Sequence, residues 1–227
     1  IMRDLNINGF SVIQNYLTEV ECIQLVEGIQ KNINNNFCWR DKYDSDIRIF
    51  GIENIEPVFQ NIFNKNNLIN VYKKYINRLN LYQTKMGAKM TFVKNNEGSG
   101  GGWHRDMVNR RQLKYILYLS DVTLNNGCFQ YISGSHKPLN KYKQNSFLNK
   151  GLYLQRYTEE DVNSLVEKFN LNVIDFVAKK GTIIIADTSG LHRGKPMLEG
   201  VRFAVTNYMS ETPFGKSVGD LIVKKDN

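Results

Sequence analysis

Histidine is scarce in this chain, with three residues among 227: His104, His136 and His192. Any site built on imidazole therefore has few possible members. Cysteine is as sparse. Cys22, Cys38 and Cys128 are odd in number and lack CxxC spacing, which argues against a disulfide framework or a zinc knuckle and suits reduced thiols packed as small hydrophobes. No apolar run approaches the roughly 20 residues that a membrane-spanning helix needs. The first residues, Ile1-Met2-Arg3-Asp4-Leu5, carry no apolar h-region of a signal peptide. The expected location is cytoplasmic, with no membrane partner. No internal repeat is evident, and the His-Glu-x-x-His helix of zinc hydrolases does not occur.

Apolar residues make up 41% and charged residues 23% of the chain, close to the averages of globular proteins. The length suffices for one domain with a substantial core, and we expect a single domain over residues 1–227. The formal charge is +8, from 30 basic and 22 acidic residues. Excess positive charge can signal nucleic acid, but no helix-turn-helix, zinc-finger, RRM or KH pattern accompanies it. Nucleic acid is therefore not the expected partner. Arg105, Arg110, Arg111 and Lys114 crowd one stretch, and an anionic small-molecule substrate accounts for them equally well. Arg110 and Arg111 are candidate substrate contacts.

Hydrophobic spacing changes character along the chain. Gly9-Phe-Ser-Val-Ile13 reads as a short strand. Thr18 with Glu21 three residues on is a capping box, and Cys22, Val26, Ile29 and Ile33 follow at helical spacing. A second helical region runs from Pro57 to Leu79, so residues 1–87 are expected to be mainly helical. From Ala88 onward short β-rich runs take over, at 90–93, 113–119, 128–132, 182–186 and 203–209, with turn signals between them such as Asn125-Asn-Gly127 and Lys180-Gly181. Thr158 caps an expected helix over 158–169 inserted between strands. Helices first and many short strands afterwards give an α+β class, mainly β, with a sandwich or closed barrel over 88–212.

His104 and Asp106 are two residues apart, and on an extended strand such residues share a face. His192 ends the apolar strand 182–186 and can supply a third ligand. Two histidines and one carboxylate form the facial triad of non-haem Fe(II) oxygenases, which leaves open positions for a 2-oxo acid and dioxygen. The planar fork of Arg202, ten residues after His192, suits the far carboxylate of 2-oxoglutarate. The same three ligands also suit catalytic zinc in a hydrolase, which would leave Arg202 unexplained. A jelly-roll module that binds a ligand without catalysis is the third reading.

The chain resembles the phytanoyl-CoA dioxygenase-like (PhyH) family of Fe(II)/2-oxoglutarate-dependent oxygenases. The resemblance rests on Gly9-Phe10 with the capped helix, Trp103-His-Arg-Asp106, Leu117-Tyr-Leu-Ser-Asp-Val122, Asn126-Gly127, Gly134-Ser-His-Lys137, and His192 followed by Arg202. It implies a double-stranded β-helix (jelly roll, cupin-like) braced by N-terminal helices. It also implies iron ligation by His104, Asp106 and His192, a 2-oxoglutarate anchor at Arg202, and hydroxylation of a small metabolite, which the basic residues near the motif suggest is anionic, with release of succinate and carbon dioxide. His136 matches a turn of the family and not a ligand. Some relatives carry Ser or Thr two residues after the anchoring arginine; here that position is Ala204, and Thr206 on the same strand face is the substitute candidate. An intact Asp106 disfavours halogenation. Trp103, adjacent to His104, is a candidate pocket wall, and the glycine-rich stretch 95–102 is a candidate lid. Arg105 alternates with the two ligands and is expected to point away from the metal, toward solvent.

Overall fold

The computed structural model describes residues 1–108, 110–151 and 153–224. The chain runs α1 (Met2–Asn8), β1 (Phe10–Ile13), α2 (Glu19–Asn32), β2 (Trp39–Arg40), β3 (Asp46–Phe50), three short 3-10 turns, α3 (Leu68–Ile76), β4 (Tyr82–Thr91), β5 (Leu113–Tyr118), β6 (Phe129–Ile132), α4 (Pro138–Phe147), α5 (Glu159–Phe169), β7 (Val173–Phe176), β8 (Ile183–Asp187), β9 (His192–Gly194), β10 (Val201–Ser210) and α6 (Lys216–Gly219). Its strands form two antiparallel sheets, a larger one in the order β1-β8-β5-β10-β4-β3-β2 and a smaller one in the order β7-β6-β9. This is the jelly roll.

Period-2 alternation sorts the side chains of the larger sheet into two layers. Leu113, Tyr115 and Leu117 of β5, Ile183 and Ile185 of β8 and Val205 and Met209 of β10 pack outward onto Leu25 and Ile29 of α2 and Tyr72 and Tyr75 of α3. Tyr118, Ile184, Ala186 and Ala204 point inward and meet Phe129, Tyr131 and Phe176 of the smaller sheet. With both faces covered, β8 reads as an unbroken apolar run instead of an alternating one. The helices cover one face and leave the other to the smaller sheet, so the interior of the roll is where a polar site can open.

Two capping boxes fix helix starts. Thr18 accepts from the Glu21 amide and Thr158 from the Asp161 amide, each answered by the acidic side chain. The inserted helix thus begins where its cap predicts. The first 87 residues are less helical than expected: besides the expected β1 they contain β2, β3 and the start of β4. The Asp46–Phe50 strand escapes a pattern search because its inward residues, Asp46 and Arg48, are charged and satisfy each other, with Arg48 Nε 3.0 Å from Asp46 Oδ2. Helix α4 was also not expected. Its buried residues are Lys141, Gln144 and Asn145, so it has no apolar stripe to read.

Asp187, at the end of β8, is fully buried and accepts the Tyr75 hydroxyl at 2.8 Å and the Gln112 and Ser189 amides at 3.1 and 3.0 Å. It ties α3 to the loop that leads to His192. Tyr75→Phe removes one donor from a buried carboxylate and is expected to cost about 1–3 kcal/mol, read as a lower urea midpoint with an unchanged m-value.

Candidate metal centre

Main-chain pairing brings the three candidate ligands together. His104 N donates to His192 O at 2.9 Å and His192 N donates to His104 O at 3.0 Å, so the two histidines are directly opposed across an antiparallel bridge. Two residues on, Asp106 N donates to Thr188 O at 2.9 Å, while the intervening Arg105 N turns to Gln155 O. His104, Asp106 and His192 each offer a ligand atom within 4.8 Å of the other two. The Nε2 atoms of His104 and His192 lie 3.8 and 3.7 Å from the Asp106 oxygens.

Both imidazoles are prepared for ligation. His104 Nδ1 lies 2.8 Å from Gly102 O and His192 Nδ1 lies 3.0 Å from Gly190 O. Because a carbonyl can only accept, each Nδ1 carries the proton and each Nε2 presents its lone pair to the shared centre. Burial lowers the pKa of His104, and burial together with the neighbouring His104 pushes His192 down to about 3; both rings are neutral at physiological pH. Burial alone would raise the Asp106 carboxyl, but Lys114, with Nζ 2.8 Å from Oδ2, and the two histidines outweigh it and hold the group well below the usual carboxylate range. Two neutral nitrogen donors and one anionic oxygen are a donor set that fits a divalent first-row metal.

The triad borders a cavity of about 210 Å³ whose lining includes Arg202, Ala204, Thr206 and Tyr208 of β10, Lys114, Ile116 and Tyr118 of β5, and Arg48. Arg202 is buried, donates to Gly127 O and contacts Met90 Sδ, while its Nε has no partner. Among the described residues it has no carboxylate counterpart. A buried guanidinium in that state fits an anion held in the cavity. Thr206 lies on the same inward face, opposite Met86 and Ile116 in register.

Other expected site residues lie elsewhere. Trp103 is 3% exposed and packs with Ile132, Tyr157, Val162, Leu165 and Leu191, beneath the Arg193 guanidinium. It is a core residue outside the cavity lining. Arg110 pairs with Glu211 at 2.7 Å, and Arg111 donates to Tyr75 O and stacks on the Tyr75 ring; neither lines the cavity. His136 is buried in its turn, away from the triad.

Arg105 does point away from the ligands, but into the protein. At 1% exposure it donates to Ser135 O, Ser189 O, Gln144 Oε1 and Tyr157 Oη. The expectation of solvent failed because α4 and the segment leading to Tyr157 cover that face. Among the cavity residues that sequence reasoning did not assign, which include Arg48, Lys114 and Tyr208, Lys114 had a usable signal. If Leu113, Tyr115 and Leu117 face the helices, Lys114 must face the interior.

The loop before His104 is pinned at several points. Asn96 exchanges side-chain hydrogen bonds with Met197 N and O at 2.8 Å each, Gly194 N donates to Ser99 O, and Arg156 donates to the carbonyls of Gly100 and Gly101. Gly100 has φ +87, and a Cβ there would stand 2.5 Å from His104 Cε1.

A jelly roll holding a His-x-Asp and a distant histidine at the rim of a cavity that also contains a buried arginine defines a metal-centred protein of the oxygenase type. The phytanoyl-CoA dioxygenase (PhyH) family profile matches residues 5–198, and the chain belongs to that family. Its enzymes use Fe(II), 2-oxoglutarate and dioxygen, and the protein is a 2-oxoglutarate-dependent non-haem iron oxygenase. Solved structures agree in fold. HygX from Streptomyces hygroscopicus, with nickel, 2-oxoglutarate and hygromycin B bound, is 16% identical with TM-score 0.64, covering 92% of this chain and 86% of its own. The epimerase SnoN, in complex with Fe3+, alpha ketoglutarate and nogalamycin RO, is 10% identical with TM-score 0.69, covering 92% and 82%. The carbocyclase SnoK from nogalamycin biosynthesis is 15% identical with TM-score 0.64, covering 92% and 81%. A search of curated proteins finds no significant sequence match. No helix among the described residues is long and apolar enough to cross a membrane.

Gly100→Ala is expected to displace the His104 ring and weaken divalent-metal binding by at least about tenfold, the scale of lost ligand support. Gly101→Ala, whose Cβ would meet nothing closer than 3.5 Å, carries a comparable backbone penalty without that clash. Cobalt(II) titration followed by its visible absorption separates the two.

Proposed function

We propose that the protein hydroxylates a C–H bond of a small, anionic metabolite, with iron held by His104, Asp106 and His192 and 2-oxoglutarate anchored by Arg202. The observation that carries this reading is the convergence of three prepared donor atoms on one point of a cavity that also contains an unpaired buried guanidinium. When bound, iron with 2-oxoglutarate and dioxygen supplies the oxidising equivalent and leaves succinate and carbon dioxide.

The chain's own residues do the rest. The imidazoles of His104 and His192 and the carboxylate of Asp106 would hold the metal, and three protein ligands would leave positions for the cosubstrate and dioxygen. Arg202 takes the far carboxylate of the cosubstrate by its fork, and the Thr206 hydroxyl is a candidate second donor on the same strand. Phe129 and Ile116 give the cavity apolar walls, which limits water beside the reacting carbon. Substrate comes from an adjoining vestibule of about 390 Å³, lined by Trp39 and Tyr43 and sharing Arg48, Gly100 and Arg156 with the inner cavity. Similar folds include an epimerase and a carbocyclase, so the fold by itself does not fix the outcome. Hydroxylation is the simplest outcome, because it needs no second positioned bond.

Anoxic addition of Fe(II) and 2-oxoglutarate is expected to give a visible charge-transfer band, and admission of air to give succinate. His192→Ala is expected to lose both. Arg202→Met, which removes a buried charge partner worth about 2–5 kcal/mol, is expected to raise the 2-oxoglutarate KM at least tenfold with the metal still bound. No band and no succinate from the wild type would sink the assignment.

A further inference from the structure

The cavity is unequally charged. Arg48, Lys114, Arg156 and Arg202 line it against one acid, Asp106. Arg48 is balanced by Asp46, with Nη2 2.5 Å from its Oδ2. Arg156 is exposed and bonded to the Gly100 and Gly101 carbonyls. Lys114 is different. Its side chain is 11% exposed, its ammonium sits 4.2 Å above the Tyr208 ring, and among the described residues its one carboxylate partner is Asp106.

Under the oxygenase reading, on which this inference rests, that carboxylate is committed to the metal. The 2+ charge of iron and the 2− charge of 2-oxoglutarate cancel, which leaves the single negative charge of Asp106 against the two positive charges of Arg202 and Lys114. Lys114 is left as a buried ammonium without a full counter-charge, a state that proteins avoid unless a partner arrives.

The lysine is also placed apart from the cosubstrate anchor. Lys114 pairs in register with Tyr208, whereas Arg202 lies six residues earlier on β10, roughly 20 Å along the strand. Beside Lys114 stands Arg48, whose Nε and Nη2 are spent on Asp46 and Ser99 but whose Nη1 makes no hydrogen bond among the described residues. Arg48 borders both the inner cavity and the vestibule, whereas Lys114 borders the inner cavity alone, so an anion passing inward meets Arg48 before Lys114.

We propose that Lys114 and Arg48 form an oxyanion receptor for the substrate, distinct from Arg202, which holds a carboxylate or phosphate group of the substrate beside Asp106 and so fixes which carbon faces the metal. The competing role is purely structural, with Lys114 doing no more than orienting Asp106.

The test is calorimetric titration of protein loaded anoxically with Fe(II) and 2-oxoglutarate, using butyl phosphate, butyrate and butan-1-ol as probes. The expected result is saturable binding of at least one anion and none of the alcohol, the tighter anion identifying the group recognised. Lys114→Met is expected to weaken that binding at least tenfold while keeping the charge-transfer band. Loss of the band together with anion binding would assign Lys114 to Asp106 alone and overturn the receptor. The double variant Asp46→Asn/Arg48→Met, which avoids stranding a buried carboxylate, is expected to show the same weakening with the band intact. Unchanged anion affinity in it, or binding of butan-1-ol as tight as that of the anions, also overturns the proposal. A wild type without the band would remove the oxygenase reading instead; the double variant, titrated without iron, still decides whether Arg48 receives the anion.

Discussion

The site depends on one pair of hydrogen bonds, the reciprocal exchange between the backbones of His104 and His192. Such a pair sets two residues face to face at a fixed spacing, whatever their side chains. Here it places two imidazoles from distant parts of the sequence on one side of the same bridge, and the Asp106 amide on Thr188 O carries the pairing one step further. The remaining supports serve this bridge. Gly102 and Gly190 carbonyls orient the rings, the Asp187 carboxylate holds the loop that precedes His192, and the buried Arg105 joins that loop to the turn at Ser135. The candidate metal centre is thus a main-chain construction with three side chains attached.

The charge arrangement follows from the same alternation that makes the core. Each strand of the larger sheet gives one face to the helices and one to the interior. The interior faces of β5, β10 and β3 carry Lys114, Arg202 and Arg48 where an ordinary sandwich would carry more hydrophobes. Burying three cations is costly, and each has a different remedy: Asp46 for Arg48, Asp106 for Lys114, and a carbonyl and a thioether for Arg202. The weakest remedy, at Arg202, marks where an anion is most needed.

Much of this was legible in the sequence wherever a local rule applied. The Thr158 cap located α5, the β-rich runs located β5, β6, β8, β10 and the end of β4, and the His-x-Asp spacing with only two other histidines narrowed the triad. Reading failed where burial was polar. Asp46–Phe50 and α4 hide their inner faces because charged and amide side chains satisfy one another there, and hydrophobic periodicity cannot register that. Arg105 was expected in solvent for the same reason. Trp103 and the pair Arg110 and Arg111 were placed near the metal by chain proximity, yet alternation and the Glu211 ion pair carry them elsewhere.

Sequence alone narrowed the chemistry to an open metal site, because ligand type and spacing along a strand are local properties: His104 and Asp106 share a face by strand geometry, and the planar fork of Arg202 suits a carboxylate. Only the tertiary structure decided which cations meet in the cavity. Lys114, Arg48 and Tyr208 come from strands far apart in the chain, and their juxtaposition is set by sheet order and register, which depend on contacts between distant segments and leave no fixed spacing to read.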